Sequence, residues 1–273
     1  DSTCDDTGAF CFIRDLDNHK TWSNAFQPSL EKSNNYEAVF SQGKAEFRRK
    51  DNSIETHTEI CVSPEDDIEL RRIHFYNRSR KVRNIEIISY AEVVLAVSIS
   101  DELHPAFSKL FVQTEIVEHK NAILCSRRSR SVDEKPPFMF HLMKVRNAGI
   151  KEISYETDRS IFIGRTRNIH CAQVVENDGP LSGTAGAVLD PIVAIKYSIS
   201  IEPGESAVAD IIYGVAETKE GCNNLIDKYQ DHYMTSRVIE LSWTHSQVIL
   251  RQINAVEADA QLYARLAGSI IFP

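Results

Sequence analysis

Several familiar signals are scarce in this sequence, and each absence closes off a class of function. The 273 residues include six cysteines, none of them in a C-x-x-C pair, which argues against zinc ribbons and thioredoxin-like redox motifs. Most of these thiols stand among apolar neighbours, as in Phe10-Cys11-Phe12 and Ile60-Cys61-Val62, so buried, reduced cysteines of a cytoplasmic protein are expected. No apolar run approaches the roughly 20 residues of a membrane helix; Val93-Val94-Leu95-Ala96-Val97 is cut off by Glu92 and Ser98. Basic residues are outnumbered, 31 against 39 acidic ones, for a net charge of −8. Nucleic acid and anionic membrane attract basic surfaces, so neither is expected as the main partner, and a neutral or carbohydrate-like ligand suits the charge better. Gly183-x-x-Gly186 lacks the Lys-Ser/Thr ending of a phosphate loop and opens a strand instead of a helix. There is no G-x-S-x-G elbow and no H-E-x-x-H. No cofactor is expected.

What is present is strand-like from Ala9 to about Tyr213. Ile54–Val62 alternates, with Ile54, Ile60 and Val62 on one face and Glu55, His57 and Glu59 on the other. Ile68–Phe75 changes apolar parity between Leu70 and Ile73, which predicts a β-bulge near Arg71-Arg72. Val82–Val97 predicts one long bent strand or two in succession. Further strands are expected over Leu110–Val117, Ala122–Ser126, Phe138–Val145, Lys151–Tyr155, Val193–Ile201 and Ala207–Tyr213. The glycine-rich stretch from Gly179 to Gly186 reads as a tight loop feeding the buried run that follows Pro191. Hairpin-like spacing without an intervening helical period points to a large antiparallel sandwich over residues 1–215.

From residue 216 onward the period changes to that of helices. Glu220–Gln230, Tyr233–Ile253 and Glu257–Ile271 are expected as three of them. The middle one is apolar on two sides, with Val238, Leu241 and Val248 on one and Ile239, Trp243 and Leu250 on the other. A helix of that kind is expected between two bodies, with Trp243 buried. The polar start, Asp1–Asp6, and the apolar end, Ile270–Pro273, suggest a piece of a longer protein.

Three constellations could carry chemistry. Glu55, His57 and Glu59 share a strand face, but a solvated face looks the same, and no metal site is expected there. Tyr155–Arg167 places an aromatic beside a carboxylate and Gly164 between guanidinium groups, which suits stacking on a sugar and gripping hydroxyls or phosphate. Arg165 and Arg167 alternate about Thr166 and are expected to point the same way, from a loop at the sandwich edge. An ion-paired loop, Asp158 against Arg159 or Arg165, is the alternative. His104-Pro105-Ala106-Phe107 is a second loop of similar character. The candidate substrate-binding residues are therefore Asp158, Arg165, Arg167, His104 and Phe107.

Phe12-Ile13-Arg14-Asp15-Leu16-Asp17, Ile54–Glu59, Val62-Ser63-Pro64-Glu65-Asp66-Asp67, Ser89–Leu95, Tyr155–Arg159, Leu181–Thr184 with Asp190-Pro191-Ile192, and Ala260-Gln261-Leu262 together resemble one family in order along nearly the whole chain. It is the cyclic β-1,2-glucan synthase family, in the phosphorylase-like C-terminal region shared more loosely with cellobiose and chitobiose phosphorylases. The resemblance implies a mainly β fold, a galactose-mutarotase-like β-supersandwich followed by linker helices over 216–273 that lead into an (α/α)6 barrel. The family's catalytic Asp lies in that barrel and has no counterpart here, so no catalytic residue is assigned and the chain alone is expected to be inactive. The parent is implied to be an inner-membrane enzyme using UDP-glucose, with this portion on the cytoplasmic side. Implied partners are β-glucan and the downstream barrel, and a homodimer is left open. An independent carbohydrate-binding module and a mutarotase-like epimerase, which needs a His/Glu pair converging in one cleft, are the rival functions.

Overall fold

The computed structural model describes residues 7–131 and 134–271, so Asp1–Asp6, with Cys4, and the terminal Phe272-Pro273 lie outside it. Its strands are β1 (Ala9–Asp15), β2 (Lys20–Ser23), β3 (Asn35–Ser41), β4 (Lys44–Asp51), β5 (Ile54–Val62), β6 (Ile68–Asn77), β7 (Arg83–Glu92), β8 (Val112–Val117), β9 (Ala122–Arg127), β10 (Phe138–Arg146), β11 (Gly149–Asp158), β12 (Pro191–Ile201) and β13 (Ser206–Ala216). They pair antiparallel into two sheets, ordered β11-β12-β7-β1-β2 and β3-β4-β5-β6-β13-β10-β9-β8. Four short helices interrupt them: α1 (Ser98–Leu103), α2 (Pro105–Lys109), α3 (Arg159–Ile163) and α4 (Gln173–Glu176). Pieces of one turn are too short to show a helical period, which is why the alternation pattern gave no sign of them. Then follow α5 (Lys219–Tyr229), α6 (His232–Gln252) and α7 (Glu257–Ile271), close to the three helices expected.

Both sheets are covered on more than one face. The main core lies between them and includes Ile13, Ile85, Tyr197, Ile73, Phe75 and Ile211. A second cluster, with Ile68, Leu70, Phe140 and Ile212, packs under α5 and α6 on the outside of the eight-stranded sheet. A third, with Phe12, Ile88, Tyr90 and Ile192, packs under α3 and α4 on the outside of the other. Burying each such side chain is worth about 1.5–3 kcal/mol.

That double covering corrects the expected bulge. β6 pairs with β5 and β13 without any shift of register. Its apolar parity changes because Ile68 and Leu70 face the helices, whereas Ile73 and Phe75 face the other sheet. Val62 is exposed for the same reason, since Cys61 beside it takes the helix-covered side. The long strand expected to reach Val97 ends at Glu92; Leu95 takes a left-handed φ of 48° and α1 begins three residues later. Real register shifts occur instead between β11 and β12, at Ile150/Glu152 and Glu156/Asp158.

The Gly179–Asp190 stretch joins the two edge strands β8 and β11. The amide of Gly183 donates to Tyr155 O at 2.9 Å, and Gly186 forms a bridge with Thr114. Beneath it the hydroxyls of Thr114 and Thr157 meet at 2.7 Å, and Glu156, fully buried, accepts from the amides of Thr157 and Asp158 and from Ser182 Oγ. The strap thus closes one side of the sandwich before the chain enters β12.

α6 is packed on one side only, burying Thr235, Val238, Ser242 and Leu250, while Trp243 is 63% exposed. The expectation of a buried Trp243 fails: its indole is left open, although Leu250 on the same apolar side is buried. No described helix is long and apolar enough to cross a membrane. Cys11, Cys61, Cys125 and Cys222 are buried and free, and Cys171 is exposed. Burial pushes the Cys61 and Cys222 thiols up to about 11 and Cys11 to about 12, so at neutral pH these three remain protonated and unreactive.

Candidate functional site

The loops singled out in the sequence gather at one end of the sandwich. Asp158 closes β11 opposite Pro191 and caps α3, accepting from Ser160 N at 2.8 Å and Ser160 Oγ at 2.7 Å. Its carboxylate pairs with neither Arg159 nor Arg165. Arg159 instead reaches Tyr90 OH at 3.0 Å, Glu92 at 3.4 Å and Asp190 at 3.6 Å, and Asp190 in turn holds Lys109 at 2.6 Å. The segment expected as a loop at His104–Phe107 is the start of α2, with His104 just before it, and the chain Lys109–Asp190–Arg159–Glu92 ties that helix to the start of α3. Burial opposes the charge on Arg159, but Tyr90, Glu92 and Asp190 outweigh it and raise its pKa. Burial, and then Glu92, raise the pKa of Tyr90, which stays a neutral phenol.

His104 and Phe107 share a cavity of about 240 Å³ with Ile99, Leu103, Arg127 and Arg130. Phe107 is 53% exposed and meets Phe111 edge-on at 5.3 Å, and the guanidinium groups of Arg127, Arg128 and Arg130 lie 5.3–5.8 Å from the Phe111 ring. This corner offers an aromatic edge and donors, and suits a hydroxylated or anionic group.

Arg165 and Arg167 do not act as a pair. Thr166 is left-handed, φ 64°, which breaks the extended alternation between them. Arg167 is bound to Glu176 and to Cys171 O, whereas Arg165 is exposed and has no partner among the described residues. Gly164 is required here: its φ is 87° and a Cβ would run into the Gln173 side chain at 2.5–2.7 Å.

Tyr90, Glu92, Lys109, Arg159 and Asp190 were not singled out by sequence reasoning. The alternation of β7 puts Tyr90 and Glu92 on one face and was visible; that Asp190 meets both Arg159 and Lys109 depends on the fold. The strand-face cluster also differs from expectation in membership. Glu46, His57 and Glu59 bring their ligand atoms within 4.8 Å of one another, with Glu46 in place of Glu55. Lys44 already lies among them, bound to Glu46 and, at 2.9 Å, to Glu59. Burial works against the Lys44 ammonium, but both carboxylates outweigh it and raise its pKa; Lys44 in turn holds Glu46 below the usual carboxylate range. The site's negative charge is thus spent on an internal cation, and Glu46 is a poor general acid.

Comparison with known proteins agrees with the architecture. A bacterial glucoamylase in complex with acarbose superposes with a TM-score of 0.54 at 8% identity, covering 89% of this chain and 31% of the other, a likeness of fold alone. Cyclic beta-(1,2)-glucan synthase NdvB of Rhizobium meliloti (strain 1021) is 32% identical over 98% of this chain, which spans 10% of that protein. Solabiose phosphorylase of Paenibacillus borealis is 21% identical over 80% of this chain, which spans 27% of it. The model of the glycosyl hydrolase 94 supersandwich domain matches residues 1–232, from the start of the chain through α5. The chain belongs to the glycosyl hydrolase 94 supersandwich family.

Proposed function

We propose that this chain is the non-catalytic supersandwich and linker of a cyclic β-1,2-glucan synthase, and that it supports the processing of glucan chains by a helical catalytic domain downstream. The observation that carries this is the unmatched apolar surface of the linker: Trp243 and Val248 on α6, Ile253 just after it, and Leu262, Leu266 and Ile270 on α7 are 45–79% exposed. A surface of that kind fits a packing face for another body of the same protein. The synthase's membrane attachment and its use of a sugar nucleotide belong to this proposal and are assigned to other parts of the parent.

The carboxylates fit a supporting role. Asp15 is bound to Arg83, Glu86 to Lys196 and Arg14, Asp210 to Arg72 and Arg146, and Glu156 to backbone amides. Glycosidic bond cleavage needs an acid aimed at the bond across an open cleft. The purified chain, incubated with linear β-1,2-gluco-oligosaccharide and inorganic phosphate, should release neither sugar phosphate nor glucose. Turnover that disappears on substitution of one carboxylate of this chain would overturn the proposal.

A further inference from the structure

The eight-stranded sheet carries a second feature, far along its outer face from the helix-covered end. Glu37, Arg48, His57 and His74 are successive cross-strand partners on β3, β4, β5 and β6, with Lys50, Glu55 and Tyr76 in the adjoining row. Directly opposed residues share a face, so these side chains lie together. They border a trough of about 780 Å³, lined among others by Glu37, Arg48, Glu55, His57, Tyr76 and Arg78. That is the size of a ligand site, which typically runs from about 300 to 1,000 Å³.

Two properties of the trough narrow its ligand. Planar groups follow one another along it in similar orientation: His57 and His74 at 6.3 Å and 26°, His74 and Tyr76 at 6.2 Å and 12°, and the Arg78 guanidinium 5.1 Å over the Tyr76 ring. Every cation lining it has a carboxylate partner, Arg48 with Glu37 at 3.6 Å, Arg49 with Asp51 at 2.7 Å, and Lys50 and Arg78 with the shared Glu55 at 3.1 Å and 2.7 Å. None of them is left unpaired for a nucleotide or other polyanion. Half-exposed pairs of this kind add little to stability, so their donors and acceptors can be re-used by a ligand at small cost. Carboxylate and guanidinium side by side supply both the acceptor and the donor that neighbouring hydroxyls need, and aromatic surface supplies the apolar contact for C–H groups.

From this combination we infer that the β3–β6 trough is a binding site for a neutral oligosaccharide, separate from the loop end. The class of ligand rests on the trough itself, and the choice of β-1,2-linked glucose as probe rests on the function proposed above. Calorimetric titration of the chain with linear β-1,2-gluco-oligosaccharide, and separately with β-1,4-linked cello-oligosaccharide, tests both. Saturable binding of the β-1,2 probe, weakened about tenfold or more by Tyr76→Ala and several-fold by Arg78→Ala but unchanged by Glu220→Ala on α5, is expected. Binding of the β-1,4 probe alone, lost in Tyr76→Ala, would keep the trough and overturn the β-1,2-glucan function. No binding of either probe at millimolar concentration, or Tyr76→Ala and Arg78→Ala that both bind as the wild type does, would overturn the trough as a site. Should Tyr76→Ala fail to fold, Arg78→Ala and Glu55→Gln, whose side chains are part of the exposed pair, decide the matter.

Discussion

His141 makes the stability of this protein depend on pH in a range where few carboxylates titrate. It is fully buried between the sheets, its ring stacked on Tyr213 at 4.6 Å and 10°. Nδ1 lies 3.2 Å from Ile212 O, which can only accept, so Nδ1 carries the proton. Nε2 is then an acceptor for Ser89 Oγ, 2.7 Å away on the opposite sheet. The neutral ring is satisfied at both nitrogens, while an imidazolium would put a charge into an apolar core. Burial accordingly pushes its pKa down to about 3, although the Ile212 carbonyl pulls the other way. The unfolded value is about 6.5. Because the folded pKa is the lower one, the stabilisation is complete above the unfolded pKa and is lost as pH falls toward the folded one, by about 1.4 kcal/mol per pH unit. Between pH 7.5 and pH 5 the loss amounts to about 2 kcal/mol. Urea unfolding of the wild type and of His141→Phe at both pH values measures it. The variant keeps a ring against Tyr213, loses its hydrogen bonds equally at both pH values, and cannot titrate. The wild type should lose about 2 kcal/mol more than the variant on acidification; equal losses in the two proteins would refute the assignment.

Two stability predictions follow from packing. Trp243→Ala should change the stability of this chain by less than about 1 kcal/mol in chemical denaturation, because the indole is 63% exposed; a larger loss would mean that α6 is covered on that side. Gly214→Ala should cost about 1–3 kcal/mol, since the new methyl would fall against the Phe140 ring and within 2.8 Å of Ile68 Cγ2, and an unchanged midpoint would show that the second cluster yields without strain.

The sandwich was legible in the sequence wherever one strand face is wet. On β5 the alternation of Glu55, His57 and Glu59 with apolar or small residues gave the strand and its orientation directly. It misled on β6, where the helices bury one half of one face and the opposite sheet buries half of the other, so a straight strand carries the pattern of a bulged one. The Tyr155–Arg167 segment was legible as polar and broken by Gly164, whereas His104–Phe107, expected as a loop, opens the short helix α2. Their partners were not, because Asp190, Glu92 and Tyr90 come from distant parts of the chain and only the fold brings them to Arg159. Asp158 two residues before Ser160 did carry a local signal, that of a helix cap, and capping accounts for its carboxylate. The two apolar sides of α6 were visible as well, but the covered face falls between them, taking Val238 from one and Leu250 from the other and leaving Val248 and Trp243 exposed.

The direction in which the helices leave the sandwich is set by charge more than by apolar contact. Under α5 apolar contacts of Cys222, Ile226 and Tyr229 with the sheet are joined by an anchor on Asp66, to which Lys228 Nζ and Tyr229 OH donate at 2.6 Å and 2.5 Å. The start of α6 is held in the same way. Asp210, nearly buried on β13, accepts from Arg72 at 2.7 Å and from Arg146 at 2.7 Å, and Thr235 on α6 donates to it at 3.0 Å while receiving the second Arg72 nitrogen at 2.6 Å. Farther along, Ser242 Oγ donates to Gly43 O at 2.6 Å, and a Cβ at Gly43 would collide with that serine at 2.9 Å. Charge-assisted and close-approach contacts of this sort are directional, and a helix held at two points seven residues apart can neither rotate nor slip by a turn. The sheet that bears the trough therefore also fixes the angle at which Trp243 is presented. A body docked on that exposed side would take a set orientation relative to the trough.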